Sequence, residues 1–331
     1  MTMFRWPLNL PALRRAFGPL PLPENPAVGG SNDWLFVTDE QTRGWILDAI
    51  CREIGSHQRG TWEVLYAKKH VELPPAKTYF FSHYLLYLAN RRGNPHLADS
   101  NVMVWWTHPR DSKYSIEEQV KAYNGLTQLI FTCSMFRDMW VERGVKPEKA
   151  TVVLGAADPK LFRPHQRGQG VVGLSSAFYE RKNPDTLLDL VKSMPHRRFV
   201  LLGHNWEAYS RWEELSAAPN FQYVSAPYSE YPAWNRRFDV FVSLATLEGG
   251  PIPLMEAMMC NAVPVASRTG FAPDIIRHGE NGFLFDVGAP AQEIAPLIDQ
   301  AFALRTDVHA TVKRYSWERF AKQIHALAPA R

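Results

Sequence analysis

The sequence predicts an α/β protein made of two doubly wound domains that face each other across a cleft. Three observations predict it. Short apolar runs alternate with amphipathic helical stretches along the chain, the signature of βαβ units and a parallel sheet. The length, 331 residues, suits two domains of about 150 residues each. The alternation halts at a polar, Pro- and Gly-bearing stretch, PKLFRPHQRGQG (159–170), and then begins again.

In the first half, WLFVTDE (34–40) reads as a strand and RGWILDAICREIG (43–55) as a helix. Trp45, Ile46, Ile50 and Ile54 fall on one face at the helical period, and Gly55 supplies a stop. TWEVLYA (61–67), KTYFFSH (77–83), NVMVWWTH (101–108), TQLIFTCS (127–134) and TVVLGAA (151–157) repeat the strand pattern, with helices at 84–92, 116–124 and 135–144. Runs as apolar as NVMVWW suit a sheet covered on both faces. In the second half, strands fall at 171–176, 197–204, 221–227, 239–246, 263–267 and 281–285. Helices fall at 184–194, 205–216, 253–260, 273–279 and 292–305, followed by an amphipathic segment at 316–328.

Composition narrows the function. Hydrophobic residues make up 46% and charged residues 21%, the balance of a folded soluble chain. A net charge of +4 favours anionic ligands but is too small to argue for nucleic acid. Cys51, Cys133 and Cys260 are far apart, so neither a disulfide framework nor a zinc site is indicated, and a cytoplasmic location is expected. No apolar run reaches the ~20 residues of a membrane helix. Residues 1–30 read as a loose arm. Within 1–20, Phe4, Trp6, Leu8 and Leu10 beside Arg5, Arg14 and Arg15 compose a patch suited to peripheral contact with the inner membrane face.

The stretch richest in chemistry is LEGGPIPLMEAMMCNAVPVAS (247–267), which begins at the carboxyl end of a strand. Gly249, Gly250 and Pro251 form a tight loop, Pro253 suits a first helical turn, and Asn261 closes the helix in a left-handed conformation. The loop aims a helix N-terminus into the cleft, an anion site suited to a pyrophosphate. Glu248 and Glu256 can reach one bound ligand there and accept hydrogen bonds from sugar or ribose hydroxyls.

EGGPIPLMEAM (248–258), AVPVAS (262–267) and TGFAPDIIRHGENGFLF (269–285) together resemble retaining glycosyltransferase family 4, of GT-B fold with two Rossmann-like domains. The resemblance extends through DPKLFRP (158–164), ERKNPDTLLDLVKSM (180–194), FVLLGH (199–204) and SWERFA (316–321). It implies an acceptor-binding domain over 1–164, a nucleotide-sugar domain over 165–310, and a terminal segment, 311–331, whose helix crosses back to the first domain.

The same resemblance implies roles. Glu256 accepts from the nucleotide ribose. Glu248 sits at the donor sugar with the backbone of Gly249, Gly250, Pro251, Ile252, Pro253 and Leu254. Lys182 and Arg181 neutralise the leaving diphosphate, the task a metal would otherwise perform. His108 contacts the donor sugar near the transferred carbon, with His83 as its rival; Arg110, Lys113 and Tyr114 follow as acceptor or phosphate contacts. The chain departs from the family at GLSS (173–176), where a phosphate-binding Arg is usual and Arg181 is the replacement. It departs again at the first domain's glycine pair, reduced to Gly44 with Arg43 beside it. The implied activity is retaining transfer of a sugar from a nucleoside diphosphate to the hydroxyl of a saccharide or glycoconjugate, with neither metal nor other cofactor. Two alternatives differ in outcome. A non-catalytic sugar-nucleotide-binding partner subunit predicts binding without turnover. Another GT-B enzyme, such as a nucleotide-sugar epimerase, predicts product without acceptor.

Overall fold

A computed structural model describes residues 32–58, 60–68 and 70–329. The amphipathic patch expected within 1–20 lies outside the described residues.

The first domain runs β1 (Asn32–Asp39), α1 (Ile46–Ser56), β2 (Trp62–Ala67), β3 (Ala76–Phe81), α2 (Tyr84–Asn90), β4 (Asn101–Trp106), α3 (Ile116–Asn124), β5 (Gln128–Phe131), α4 (Ser134–Glu142) and β6 (Ala150–Val152). Its strands pair in the order β2-β1-β3-β4-β5-β6, every pair parallel. The apolar runs behave as a doubly covered sheet requires: Phe36, Phe80, Phe81, Met103 and Val104 are fully buried.

The second domain runs β7 (Val171–Ala177), α5 (Pro184–Ser193), β8 (Arg198–His204), α6 (Trp212–Ser216), β9 (Phe221–Val224), α7 (Tyr231–Asn235), β10 (Val240–Ser243), α8 (Ile252–Met259), β11 (Val263–Ser267), α9 (Ala272–Ile275), β12 (Phe283–Phe285) and α10 (Ala291–Ala303). Then come α11 (Val308–Val312) and α12 (Trp317–Ala326). The sheet order is β12-β11-β10-β7-β8-β9, again all parallel. Counted within the domain, this is the 3-2-1-4-5-6 order of doubly wound nucleotide-binding folds. The two sheets with their flanking helices make a GT-B fold of two Rossmann-like domains.

Sequence periodicity misplaces a few boundaries. The strand expected over 151–157 ends at Val152. The helix expected over 205–216 is interrupted: Asn205 is left-handed at φ 62° and Tyr209 is extended at ψ 131°, leaving only a short turn at Trp206–Ala208 before α6. Tertiary bonds hold that break, with Trp206 Nε1 donating to the Ser176 carbonyl at 2.8 Å and the Tyr209 hydroxyl to Asp185 at 2.6 Å. The helix expected over 273–279 stops at Ile275, because Ile276 turns extended and His278 bridges Gly282. Two five-residue helices, α7 and α11, are too short to display a period.

Helix α12 leaves the second domain and packs on α1 of the first. Its Phe320 and Ile324 join the cluster of Ile50, Ile54 and Trp105, with Phe320 edge-on to Trp105 at 5.3 Å. Ser316 caps α12 by accepting from Arg319 N–H at 3.3 Å. Each fully buried apolar side chain of this kind contributes roughly 2 kcal/mol, so the crossing helix holds the domains together. Near the cleft they touch again. Asp274, on α9, accepts the Ser134 N–H at the start of α4 at 3.0 Å, and the Ser134 hydroxyl as well. Gly249 presses on the end of β4, where a Cβ would lie 2.4 Å from the Thr107 carbonyl oxygen, so only glycine fits.

Candidate active site

The carboxyl ends of β7 and β10 supply the site, as the doubly wound topology requires. After β7, a single 3-10 turn (Glu180–Lys182) carries the two cations and ends at Asn183, left-handed at φ 58°, before Pro184 opens α5. After β10, the 244–251 loop leads into α8. The two loops are stitched together: Thr246 N–H donates to the Arg181 carbonyl at 2.8 Å, and Arg181 Nη1 donates to the Leu247 carbonyl at 2.7 Å.

This stitching places both cations on Glu248. Arg181 Nη1 lies 3.1 Å from Glu248 Oε1, and Lys182 Nζ donates to the same oxygen. Glu248 is buried, at 7% exposure. Burial alone would raise its pKa, but Lys182 and Arg181 outweigh burial and hold it below the ordinary carboxylate range. One carboxylate against two cations leaves one net positive charge here.

The loop ahead of α8 offers fewer donors than its length implies. Pro251 and Pro253 have no N–H, and Leu254 N–H already donates to the Pro251 carbonyl at 2.9 Å. Among the described residues no protein acceptor meets the N–H groups of Gly249, Gly250 or Ile252. Of these, Gly250 and Ile252 line the cavity described below, where their N–H groups are open to an anion. Asn261 closes α8 in the left-handed conformation, at φ 75°.

Glu256 lies one turn into α8 at 2% exposure, and its Oε1 accepts the Tyr228 hydroxyl. Burial pushes its pKa up to about 7, against the opposing pull of that hydrogen bond. A cavity of about 350 Å³ joins these groups: Lys182, Glu248, Gly250, Glu256 and Tyr228 line it from the second domain, Gly44 and Trp45 from the first. Trp317 of the crossing helix completes the wall. A larger hollow of about 710 Å³, walled by residues such as His70, Tyr79, Asn94 and His96, lies at the start of β3 and β4. In parallel sheets ligands bind at the carboxyl ends of strands, so the smaller cavity is the candidate site.

The first-domain residues are placed unevenly. His108 follows β4 by two residues and is half-buried. Burial first, then Arg110 and Arg181, lower its pKa to about 4, with Glu248 opposing, so it faces the charged cluster as a neutral ring. His83 is buried at the start of α2. Its Nδ1 accepts Leu85 N–H at 3.2 Å, its ring stacks on Tyr84 at 4.6 Å, and its buried Nε2 has no partner among the described residues. Burial, then Arg110 and His108, lower its pKa to about 3. Arg110 is exposed and held by its backbone, its N–H donating to the Tyr84 hydroxyl at 2.9 Å. Lys113 is exposed, over the Tyr114 ring at 5.4 Å.

Arg43 and Gly44 both have protein partners. Gly44 lines the cavity at φ 78°, and its N–H donates to the buried Asp48 carboxylate at 2.7 Å. Arg43 turns to Glu40 at 3.3 Å and lies 3.5 Å over the Tyr66 ring, outside the cavity lining. Sequence reading also missed Tyr228 and Trp317. Tyr228 belongs to no motif; Trp317 lies in SWERFA, whose residues carry no sign of which one faces the cleft. Among the described residues no group of three His, Cys, Asp or Glu could hold a metal ion, and no helix is long and apolar enough to cross a membrane.

Residues 160–324, from the interdomain segment to the crossing helix, match the model of the family described as glycosyl transferases group 1. The Anabaena protein Alr3699/HepE, solved with UDP, has a similar structure: TM-score 0.70 at 15% identity, covering 89% of this chain and 98% of that one. The family match spans just under half of the chain, and the structural likeness shows the fold. By sequence the chain is 27% identical over 128 residues to the Vi polysaccharide biosynthesis protein VipC/TviE of Salmonella typhi, covering 37% of this chain and 22% of that one. It is 25% identical over 153 residues to an uncharacterized glycosyltransferase of Methanocaldococcus jannaschii, covering 43% of each. The matched segments therefore span less than half the length of these relatives.

Proposed function

We propose that this protein transfers a sugar from a nucleoside diphosphate to an acceptor hydroxyl of a saccharide or glycoconjugate, with retention of configuration and without a metal ion. One observation carries the reading: Lys182, Glu248 and Glu256 line a single interdomain cavity at the carboxyl ends of parallel strands, and Arg181 pairs with Glu248 beside it. The net positive charge and the N–H groups of Gly250 and Ile252 suit a diphosphate, whose charge grows as the glycosidic bond breaks. Glu248, ion-paired twice, is a poor nucleophile and a good acceptor for sugar hydroxyls. In this mechanism the acceptor attacks the face the diphosphate leaves, and a leaving phosphate oxygen takes the acceptor proton, so no protein nucleophile is required. Neutral His108 donates to or accepts from the sugar at the first-domain wall. HepE, solved with UDP-glucose, and the named polysaccharide biosynthesis relative favour a uridine nucleotide and a polysaccharide product.

A thermal-shift screen against UDP-, GDP-, ADP-, CMP- and TDP-sugars tests the reading, because a ligand that binds only the folded form raises the melting temperature. At least one donor should raise it and support transfer to an added saccharide. No shift with any donor would contradict the proposal, and a shift without turnover would make the chain a non-catalytic binding subunit.

A further inference from the structure

Glu256 has an unusual setting for a ligand-binding carboxylate. An ionised carboxylate offers about four acceptor positions. Among the described residues, the Tyr228 hydroxyl on Oε1 is the one side-chain donor that meets it. A buried charge with a single partner is costly unless a ligand supplies the remaining donors. Vicinal ribose hydroxyls offer two.

Tyr228 is itself held firmly. It opens a 3-10 turn (Tyr228–Glu230) after β9, and its ring packs on Phe162 at 6.2 Å and Tyr231 at 5.3 Å. Phe162 is fully buried and belongs to the segment joining the two domains. The hydroxyl is thus fixed from two directions, and both it and Glu256 line the cavity.

We propose that Tyr228 is a positioning residue of the nucleotide site, donating to Oε1 of Glu256 and turning the carboxylate so that Oε2 receives the donor's ribose hydroxyls. The inference rests on the nucleotide-sugar reading above. It has a consequence for pH. Ribose hydroxyls need the ionised form of Glu256, which burial disfavours and the Tyr228 bond favours. The other titratable groups around Glu256 are Tyr231 and Cys260, both pushed up by burial and then by the Glu256 charge, so both stay neutral. Asp158 acts through Tyr228, and Arg236 through Cys260. Nucleotide affinity therefore rises with pH through the Glu256 midpoint, and losing the Tyr228 hydroxyl moves that midpoint up.

The test titrates the full chain calorimetrically between pH 6 and 8.5 with UDP-glucose, GDP-glucose and ADP-glucose, following whichever binds tightest. Their diphosphate diesters carry no proton that titrates in this range. Wild-type affinity should climb with pH, and Glu256→Gln should flatten the curve. Tyr228→Phe should move the midpoint upward and converge on wild type at the alkaline end; a displacement of one unit lowers affinity at pH 7 roughly fivefold. A merely structural role would offset the curve equally at every pH. If Tyr228→Phe fails to fold, 3-fluorotyrosine at 228, a stronger donor, should move the midpoint down. A Tyr228→Phe curve that superimposes on wild type, is uniformly offset, or is tighter throughout would overturn the inference and leave the nucleotide reading standing. Absence of binding by wild type, or a Glu256→Gln curve identical to wild type, would overturn both.

Discussion

The two domains hold their candidate residues in opposite electrostatic states. In the second, Arg181, Lys182 and Glu248 are paired and mutually fixed before any ligand arrives. In the first, His83 and His108 are neutral rings, lowered to about 3 and about 4, and Arg110 is exposed. The difference teaches a division of labour. The second domain carries preorganised charge, which under the proposed function would stabilise a leaving diphosphate without reorganisation. The first domain presents two neutral imidazoles there beside the exposed Arg110, groups that under the proposed function would meet acceptor hydroxyls.

Removing the shared carboxylate breaks this contrast most severely. Glu248→Ala leaves Arg181 and Lys182 repelling each other and the sugar without its acceptor. Initial-rate assays should find transfer lowered by about 10²–10³-fold, the scale of losing a preorganised electrostatic contact. His108→Ala, on the other side of the cleft, should abolish most transfer while nucleotide affinity, read by calorimetry, stays within about twofold. Full activity would shift its role to His83. Lys182→Ala should lower turnover at least tenfold, or ~1.4 kcal/mol of transition-state stabilisation. Arg181→Ala should cost less, since Lys182 still covers Glu248.

The same asymmetry governs what the sequence reveals. In the second half, strand, double glycine, Pro-x-Pro and helix lie within about twenty contiguous residues, so local physics displays the site. Glu248 and Glu256 are legible there because one loop and one helical turn position both. The pairing of Lys182 with Glu248 depends on β7 and β10 being adjacent strands, which a linear reading does not contain. In the first half even local signals mislead. Arg43 and Gly44 carry suitable chemistry, yet Tyr66, Glu40 and Asp48 capture them through packing. Tyr228 leaves no trace in any periodic pattern, and Trp317 lies in an amphipathic segment whose period does not reveal the cleft; both reach it only once the interdomain segment and crossing helix are in place.

Smaller effects sharpen the comparison. Glu256 has a folded pKa raised to about 7. Between its unfolded value and 7 the native state binds more protons than the unfolded chain, so its contribution to stability falls as pH rises through that window. Glu256→Gln should therefore stabilise the protein by on the order of 2 kcal/mol at pH 8, read from denaturant midpoints, while weakening nucleotide binding. Glu248 behaves oppositely. Its lowered pKa contributes stability above the unfolded value that is lost as pH falls through the folded one. The smallest change expected is at the domain contact: Asp274→Asn weakens the cap on α4 and should lower stability by about 1 kcal/mol, with donor affinity unaltered.

Separate grips on ribose and phosphate are the heart of this account, and comparing UDP with uridine by calorimetry measures them most directly. Glu256→Ala should weaken both ligands, whereas Lys182→Ala should weaken UDP alone. Equal losses for both ligands in Lys182→Ala, or undiminished affinity in Glu256→Ala, would contradict the assignment of these residues to one nucleotide-sugar site.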